Sequence, residues 1–321
     1  MSKVLVVEIS GKRPGTSAQR PTEKFKIGYD RLIVSNNADG YEKDWPIVMV
    51  PDDYVAWYKS NVKTSENAWY APMNRSYAIK YAREHGYDYL VQLDDNIIYL
   101  ELAYVSDGKD GYNRRYRQQS QTEMMDDFID MLCTVLDNTN AAIAGCDLRA
   151  VMPSNIYLSE RFCYSFFALN LKRCPDLYHG DFEDDIEFRL KCAEMGVPSL
   201  MVCPLRYGKT GQNYNKDETG NRAAYTAAGI KRGEHMRILH GDIYSAGYGK
   251  RTMTVANVPN GKVFRHKLKV FKLGVMVKDQ EAIDEKMREI LAKWAKPMPD
   301  KSILKIRKKK QTTSRGKRPA V

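Results

Sequence analysis

Residues 74 to 96 read Asn-Arg-Ser-Tyr-Ala-Ile-Lys-Tyr-Ala-Arg-Glu-His-Gly-Tyr-Asp-Tyr-Leu-Val-Gln-Leu-Asp-Asp-Asn, and this stretch decides the fold class. Its first half, residues 74–85, places apolar side chains at helical spacing and predicts a helix. Gly86 stands where a left-handed residue ends such a helix. The apolar run 89–93 then predicts a buried strand, which stops at the polar residues Asp94, Asp95 and Asn96. A helix that feeds a buried strand is the building unit of α/β proteins.

The rest of the chain supplies more short apolar strands and amphipathic helices. Strands are predicted at 3–9, 31–34, 46–50, 141–144 and 165–169, and helices at 122–136, 182–195 and 279–296. Residues 106–119 are predicted to form a polar loop. We expect one α/β domain over residues 1–300, with a mixed sheet flanked by helices and a C-terminal amphipathic helix. Residues 301–321 lack a hydrophobic pattern and are predicted to be a disordered basic tail.

Composition limits the class of protein. The net charge is +11, but residues 301–321 hold nine Lys or Arg and no acid, so residues 1–300 carry only +2. The six cysteines form no Cys-x-x-Cys pair and are predicted to be buried reduced thiols. No apolar run approaches the roughly 20 residues of a membrane span, and the apolar run 4–7 is too short for a signal peptide. The sequence therefore predicts a cytoplasmic protein with no membrane partner.

The polar residues after the predicted strand 89–93 are candidates for ligand binding. In open α/β sheets, ligands bind beyond the carboxyl ends of the strands. Closely placed oxygen ligands such as those of Asp94, Asp95 and Asn96 suit Mg²⁺ or Mn²⁺, which can bridge a carboxylate and a diphosphate. The alternative interpretation is a solvated turn that ends the strand.

A second acidic cluster reads Asp-Phe-Glu-Asp-Asp-Ile-Glu over residues 181–187. Acidic residues in the first turn of a helix are stabilised by the helix dipole, which is a purely structural explanation. Four acids within five positions also repel each other, and such crowding raises a carboxyl pKa toward that of a useful general base. The two clusters together predict a bound diphosphate and, about one sugar away, a proton acceptor.

These motifs resemble a known enzyme class. Residues 74–96 look like the segment of GT-A glycosyltransferases in which an Asn-led helix feeds the strand that bears the Asp-x-Asp motif. Residues 182–191 resemble the later acidic helix of that class, which supplies the catalytic base in inverting members. More narrowly, residues 93–97 and 180–188 are similar to the TET/JBP-associated glycosyltransferases of bacteriophages, whose members add sugars to oxidised-methyl pyrimidines in DNA. If the chain is phage-encoded, its expected location is the host cytoplasm.

The resemblance implies a role for each matching residue. Asp94 would contact the nucleotide ribose or a metal-bound water, and Asp95 with Asn96 would hold the cation. The third motif position is Asn96 where the pattern usually has Asp, and an amide oxygen is a weaker ligand than a carboxylate. The base is Asp185 in the preferred alignment and Asp184 in one shifted by a residue.

Three further residues are candidates for the donor site. His240 matches the late His that completes the metal shell in some GT-A enzymes, although a lone His is more often structural. Arg13 and Arg20, in the loop after the first strand, could meet the diphosphate or the base, although basic loop residues are usually solvated.

Aromatic and basic residues alternate over residues 112–117, which is typical of a nucleic-acid contact. The candidates there are Arg114, Arg115 and Arg117. An exposed loop with no such role is the competing interpretation. The basic tail could add non-specific phosphate contacts, and the nearly neutral body indicates that any grip on DNA is local.

The sequence therefore predicts an inverting glycosyltransferase that uses a nucleotide sugar, with UDP favoured, and Mn²⁺ or Mg²⁺. Its predicted acceptor is a hydroxymethyl pyrimidine of the 5-hydroxymethylcytosine type in DNA. A GT-A glycosyltransferase with a glycan or protein acceptor, a nucleotidyltransferase and a non-catalytic DNA-binding protein remain as alternatives.

Overall fold

The computed structural model describes residues 2–11, 20–37, 39–41, 45–62, 70–107, 113–120, 122–148, 158–179, 184–209, 233–252, 262–268 and 274–295. The strands within these ranges are β1 (Val4–Ile9), β2 (Asp30–Ser35), β3 (Ile47–Met49), β4 (Tyr89–Asp94), β5 (Ile97–Asp107), β6 (Asn113–Ser120), β7 (Ile143–Leu148), β8 (Leu158–Glu160), β9 (Phe166–Asn170), β10 (Ser199–Lys209), β11 (Tyr244–Thr252) and β12 (Lys262–Leu268). The helices are α1 (Pro21–Lys24), α2 (Asp52–Asn61), α3 (Tyr70–Glu84), α4 (Met125–Asp137), α5 (Asp184–Glu194), α6 (Glu234–His240) and α7 (Gln280–Trp294).

Ten of these strands form one mixed sheet in the order β3-β2-β1-β4-β9-β7-β10-β5-β6, with β8 paired to β10. The first four strands are parallel, and β9 runs antiparallel between β4 and β7. β10 is parallel to β7, whereas β5 is antiparallel to β10. Consequently β4, β7 and β10 all end at the same edge of the sheet, and β9 and β5 begin there. β11 and β12 form a separate two-stranded sheet.

Alternate residues of the strands face two hydrophobic cores, one on each face of the sheet. Val4 and Val6 of β1 pack in the core formed with α4 and α7. Leu5 and Val7 pack in the opposite core, with α2, α3 and α5. The strands read as nearly continuous apolar runs because both of their faces are buried.

The structure confirms the mixed α/β class and most predicted elements. Gly86 has a φ of 70° two residues after the end of α3, and Gly196 has a φ of 74° two residues after the end of α5, as expected for residues that end helices. The C-terminal amphipathic helix is α7, which begins after Asp279, whose side chain accepts a hydrogen bond of 3.0 Å from the Ala282 amide.

One predicted loop is wrong. Much of residues 106–119 lies in β5 and β6, which pair antiparallel from Leu100↔Ser120 to Asp107↔Asn113. β6 lies at the end of the sheet order and pairs with β5. An edge strand obtains its backbone hydrogen bonds from its neighbour, so pairing stabilises it where the hydrophobic pattern is weak.

The cysteines are free, and five of the six are buried, in agreement with the prediction of reduced thiols. Within the part of the chain that the structure describes, no helix has the length and apolar character needed to span a bilayer. The division at residue 300 stays a prediction, because residues 296–321 lie outside the described ranges.

Candidate active site

The candidate site lies at the edge of the sheet where β4 and β10 end. Asp94 is the last residue of β4, and its two carboxylate oxygens accept from different cations. Arg75 Nη2 lies 2.6 Å from Oδ1, and Lys209 Nζ lies 2.5 Å from Oδ2. Burial alone would raise the pKa of Asp94, but Lys209 and Arg75 outweigh it and hold that pKa well below its usual range. Asp94 is therefore ionised at neutral pH.

Local chain geometry brings Lys209 to Asp94. Asp95 and Asn96 form the turn between β4 and β5, and the first residue of β5, Ile97, pairs with Lys209 at the end of β10. Lys209 Nζ also donates to Ser165 Oγ at 2.8 Å.

Ser165 occupies an unusual backbone conformation beside Asp94. Its φ of 57° lies in the left-handed region, which non-glycine residues rarely adopt. Its carbonyl oxygen accepts a hydrogen bond of 2.8 Å from the Asp94 amide. This backbone bond and the Lys209 contact hold the start of β9 against the end of β4.

Arg75 joins the two acidic clusters. It lies on α3, is only 7% exposed, and exchanges hydrogen bonds of 3.2 Å with Gln92 of β4. Besides its contact with Asp94, its Nε atom lies 3.4 Å from Asp184 Oδ2 at the start of α5. One buried guanidinium thus connects the end of β4 with the acidic helix, which are about ninety positions apart along the chain.

Asp184 and Asp185 titrate in the direction opposite to Asp94. Burial raises the pKa of Asp184, with Arg75 opposing the shift and Asp94 adding to it. Burial and the neighbouring Asp184 raise the pKa of Asp185 well above its usual range. Asp185 Oδ1 accepts a 2.8 Å hydrogen bond from the Ile186 amide, while Asp184 is the member of the pair that contacts Arg75. Two adjacent carboxyls with raised pKa values form a group that can exchange a proton near neutral pH.

Asp95 turns toward the end of β1. Its Oδ2 accepts a hydrogen bond of 3.0 Å from Ser10 Oγ, which is also 2.7 Å from the Tyr41 hydroxyl. Arg20 Nη1 lies 3.3 Å from Ser10 Oγ and forms a fully buried ion pair with Glu8 of β1.

Arg20 is enclosed on several sides. Its guanidinium lies 4.6 Å from the ring centroid of Tyr41 and 4.8 Å from that of Trp45, within the range of cation–π contacts. Burial and the charge of Asp95 raise the pKa of Glu8 against the effect of Arg20. Arg20 is therefore buried next to Ser10, the residue that donates to Asp95, and its ion pair with Glu8 attaches it to β1. A direct contact with the donor stays a prediction.

Asn74, which leads the predicted helical stretch and lies in α3, ties the helix to this corner. Its Nδ2 donates to the Ser10 carbonyl at 2.8 Å and to Asn36 Oδ1 at 3.3 Å. Its Oδ1 is buried and accepts no hydrogen bond from the described residues.

The resemblance implies a divalent cation at Asp94–Asn96, and the oxygen ligands there can be tested against that expectation. Asp94 is engaged by Arg75 and Lys209, which leaves the Asp95 carboxylate and the Asn96 amide. Among the described residues, no three His, Cys, Asp or Glu side chains form a group that could hold a metal ion. Mg²⁺ is commonly bound through one or two carboxylates, with water and substrate phosphates at the other positions. Asp95 and Asn96 therefore fit a cation that arrives with a diphosphate.

His240 lies at the end of α6 beside the acidic helix. Its Nε2 lies 3.1 Å from Oε1 of Glu187, a residue that is only 1% exposed. This contact joins α6 to α5, and a ligand role for His240 stays a prediction.

Other predicted residues fall wholly or partly outside the described ranges. Arg13 lies in the undescribed segment 12–19, and residues 180–183 of the acidic cluster are also outside. For Arg114, Arg115 and Arg117 the structure describes only the backbone of β6, so their role as nucleic-acid contacts stays a prediction.

Three residues of the site were missed from the sequence: Arg75, Lys209 and Ser165. Arg75 directly follows Asn74, which was the available signal, but a basic residue on a helix is usually solvated. Lys209 and Ser165 carry no local pattern, since their position depends on strand pairing across the sheet.

Comparison with known proteins identifies the family of this chain. The model of the TET-Associated Glycosyltransferase family matches residues 20–214, which include both acidic clusters and Lys209. No curated protein matches the chain. Among solved structures, the chain is similar to a protein of Desulfovibrio desulfuricans G20 assigned as a nucleotide-diphospho-sugar transferase, with 12% identity, a TM-score of 0.31, and coverage of 71% of this chain and 94% of that one. The large mixed sheet with flanking helices is of the predicted mixed α/β class, and its assignment to the GT-A fold stays a prediction.

Proposed function

We propose that this chain, which belongs to the TET-associated glycosyltransferase family and is therefore a glycosyltransferase, transfers a sugar to a hydroxymethyl pyrimidine in DNA. The proposed donor is a nucleotide sugar, by preference a UDP-sugar. The observation that carries this proposal is Arg75, which joins the ionised Asp94 to Asp184. A donor-binding carboxylate and a candidate base thus belong to one site, as a displacement between two substrates requires.

The donor side is formed by the turn between β4 and β5. Asp94, held by Arg75 and Lys209, orients the nucleotide ribose through a carboxylate that stays ionised. Lys209 is a quarter exposed and places a positive charge beside the leaving diphosphate. A divalent cation bound by Asp95, Asn96 and the diphosphate would supply further charge neutralisation at the leaving group.

The acceptor side is the first turn of α5. Asp185 takes the proton of the acceptor hydroxyl while that oxygen bonds to the anomeric carbon of the sugar. The bond between the anomeric carbon and the diphosphate oxygen breaks, so the nucleoside diphosphate leaves with the electron pair and the anomeric centre inverts. A carboxyl pKa raised toward neutral pH suits this role, because a base works best when its pKa is near the working pH. Asp184 is held by Arg75 and positions the pair.

The acceptor is tested by incubating the protein with labelled UDP-glucose, Mn²⁺ and a duplex that contains 5-hydroxymethylcytosine. The matched control is the same duplex with cytosine, which lacks the acceptor hydroxyl. We expect label only in the hydroxymethylated DNA, together with release of nucleoside diphosphate. If no nucleotide sugar labels that DNA while donor hydrolysis continues, the DNA acceptor is wrong and a glycan or protein acceptor is favoured.

A further inference from the structure

β11 and β12 form a two-stranded ribbon with a strongly biased charge. They pair antiparallel from Tyr244↔Leu268 to Thr252↔Lys262. Residues 243–278 contain eight Lys or Arg and no Asp or Glu. The whole chain carries +11 and residues 301–321 carry nine positive charges, so the chain without these two segments has a net charge of −6. Five of the eight basic residues lie in β11 and β12 themselves, so the ribbon is basic, whereas the chain outside residues 243–278 and 301–321 is acidic.

The inner end of the ribbon packs on the acidic helix. Tyr244 of β11 and Met236 of α6 form a buried cluster with Ile186 and Leu190 of α5. Each of these four side chains is at most 2% exposed. Ile186 directly follows Asp185, so the ribbon begins next to the proposed base.

Polar contacts fix the same end. His240 of α6 contacts Glu187 of α5, and Arg237 Nη2 donates to the Ala246 carbonyl of β11 at 3.2 Å. Across the ribbon, the Tyr244 hydroxyl lies 2.6 Å from His266 Nδ1. The ribbon is therefore attached to α5 through the apolar cluster, and α6 is hydrogen-bonded to both of them.

Duplex DNA matches this element in charge and in shape. Lys and Arg bind the phosphate backbone, and a net acidic body makes such binding depend on the ribbon and the tail. The major groove of B-DNA admits a two-stranded β-ribbon. The C5 substituent of a pyrimidine also lies in the major groove. A ribbon that occupies this groove would be on the same side of the duplex as a hydroxymethyl group.

We infer that the β11–β12 ribbon is the DNA-docking element of the enzyme, and that it presents the major groove to the first turn of α5. This inference rests on the proposed function, because it assigns the surface that the DNA acceptor uses. It locates the main DNA contact in a part of the chain beyond the residues that match the family model.

The register of β11 and β12 identifies basic residues that can be replaced without changing the inner end of the ribbon. Lys250, Arg251 and Lys262 lie toward the end of the ribbon opposite to Tyr244, near the Thr252↔Lys262 pair. The test variant is Lys250→Gln, Arg251→Gln, Lys262→Gln in the full-length chain. The matched control removes three exposed lysines elsewhere, Lys26→Gln, Lys80→Gln, Lys172→Gln, whose side chains are 74%, 47% and 82% exposed.

The measurement is the Kd for a fluorescent hydroxymethylcytosine duplex at several salt concentrations, with thermal melting to check folding. We expect the ribbon variant to bind about tenfold or more weakly at ~0.1 M salt, and its salt slope to be smaller by about 0.9 for each phosphate that it no longer neutralises. The lysine control should keep the wild-type Kd. Donor hydrolysis without DNA should be the same in all three proteins, because the donor side is unchanged.

Equal weakening of the ribbon variant and the control would show that only total charge matters and would overturn the inference, as would wild-type binding by the ribbon variant. An RNA duplex that binds as tightly, and is weakened as much in the ribbon variant, would overturn the assignment to DNA. Failure of the proposed function has a different result: the wild type would transfer no sugar to DNA, whether or not binding depends on the ribbon.

Discussion

Asp94 and Asp184 approach the same guanidinium from two parts of the chain, yet their pKa values move in opposite directions. Their side chains are similarly exposed, at 21% and 15%, so burial does not explain the difference. Asp94 has two cations within 2.6 Å, whereas the Arg75 Nε atom is 3.4 Å from Asp184, and the ionised Asp94 adds a like charge that raises the pKa of Asp184. The number of charged partners and their distances therefore decide that Asp94 stays ionised and that Asp184 can exchange a proton.

The largest expected effect comes from removing the proton acceptor. Asp185→Asn should lower the rate of sugar transfer by about 10²–10⁴-fold, because the amide cannot accept the acceptor proton. Asp184→Asn should reduce the rate less, since Asp184 positions the pair without taking that proton. Transfer into hydroxymethylcytosine DNA, with donor binding measured separately, checks both variants. A larger reduction in Asp184→Asn would reassign the base.

The pH dependence sharpens the same test. The wild-type kcat/KM should rise with pH as Asp185 loses its proton, and in Asp184→Asn this rise should move to lower pH because the neighbouring charge is gone. Raised pKa values in the folded state make stability fall as pH rises from about 4 toward those values. Asp185→Asn should therefore be more stable than the wild type at pH 8 and close to it at pH 4. A destabilised Asp185→Asn at pH 8 would contradict this.

The next effect tests the shared guanidinium. Arg75→Met leaves Asp94 and Asp184 without their common partner, so the free energy of unfolding should fall by about 3–5 kcal/mol. Urea unfolding at pH 7 measures it. Lys80→Met, an exposed site on the same helix, is the matched control and should change stability by less than about 0.5 kcal/mol. Similar effects in the two variants would mean that Arg75 does not hold the clusters together.

The smallest effect concerns the second cation of Asp94. Lys209→Met should lower the free energy of unfolding by about 1.5 kcal/mol at pH 7, because it removes one charge-assisted hydrogen bond. The lowered pKa of Asp94 provides stability that is present above about pH 4 and is lost as pH falls through its folded value. The difference between Lys209→Met and the wild type should therefore shrink below pH 4. A difference of constant size down to pH 2 would show that Lys209 acts through packing alone. The KM for the donor should rise as well.

Much of the fold could be predicted because its signals are local. The helix ends at Gly86 and Gly196 follow from glycine's access to positive φ, and the buried strands follow from continuous apolar runs. The β5–β6 pair could not be predicted in the same way, because a polar edge strand exists only through its partner.

The sequence alone determined that one acidic cluster follows a buried strand and that the other lies at the start of a helix, since each pattern spans only a few residues. It also determined the charge bias of residues 243–278, although that bias has no meaning until the strands pair. Only the tertiary structure decided that Arg75 and Lys209 converge on Asp94 and that Asp184 meets the same Arg75. The physical reason is that strand order brings together charges that lie far apart along the chain. Burial then removes these charges from water, so that their neighbours shift their pKa values.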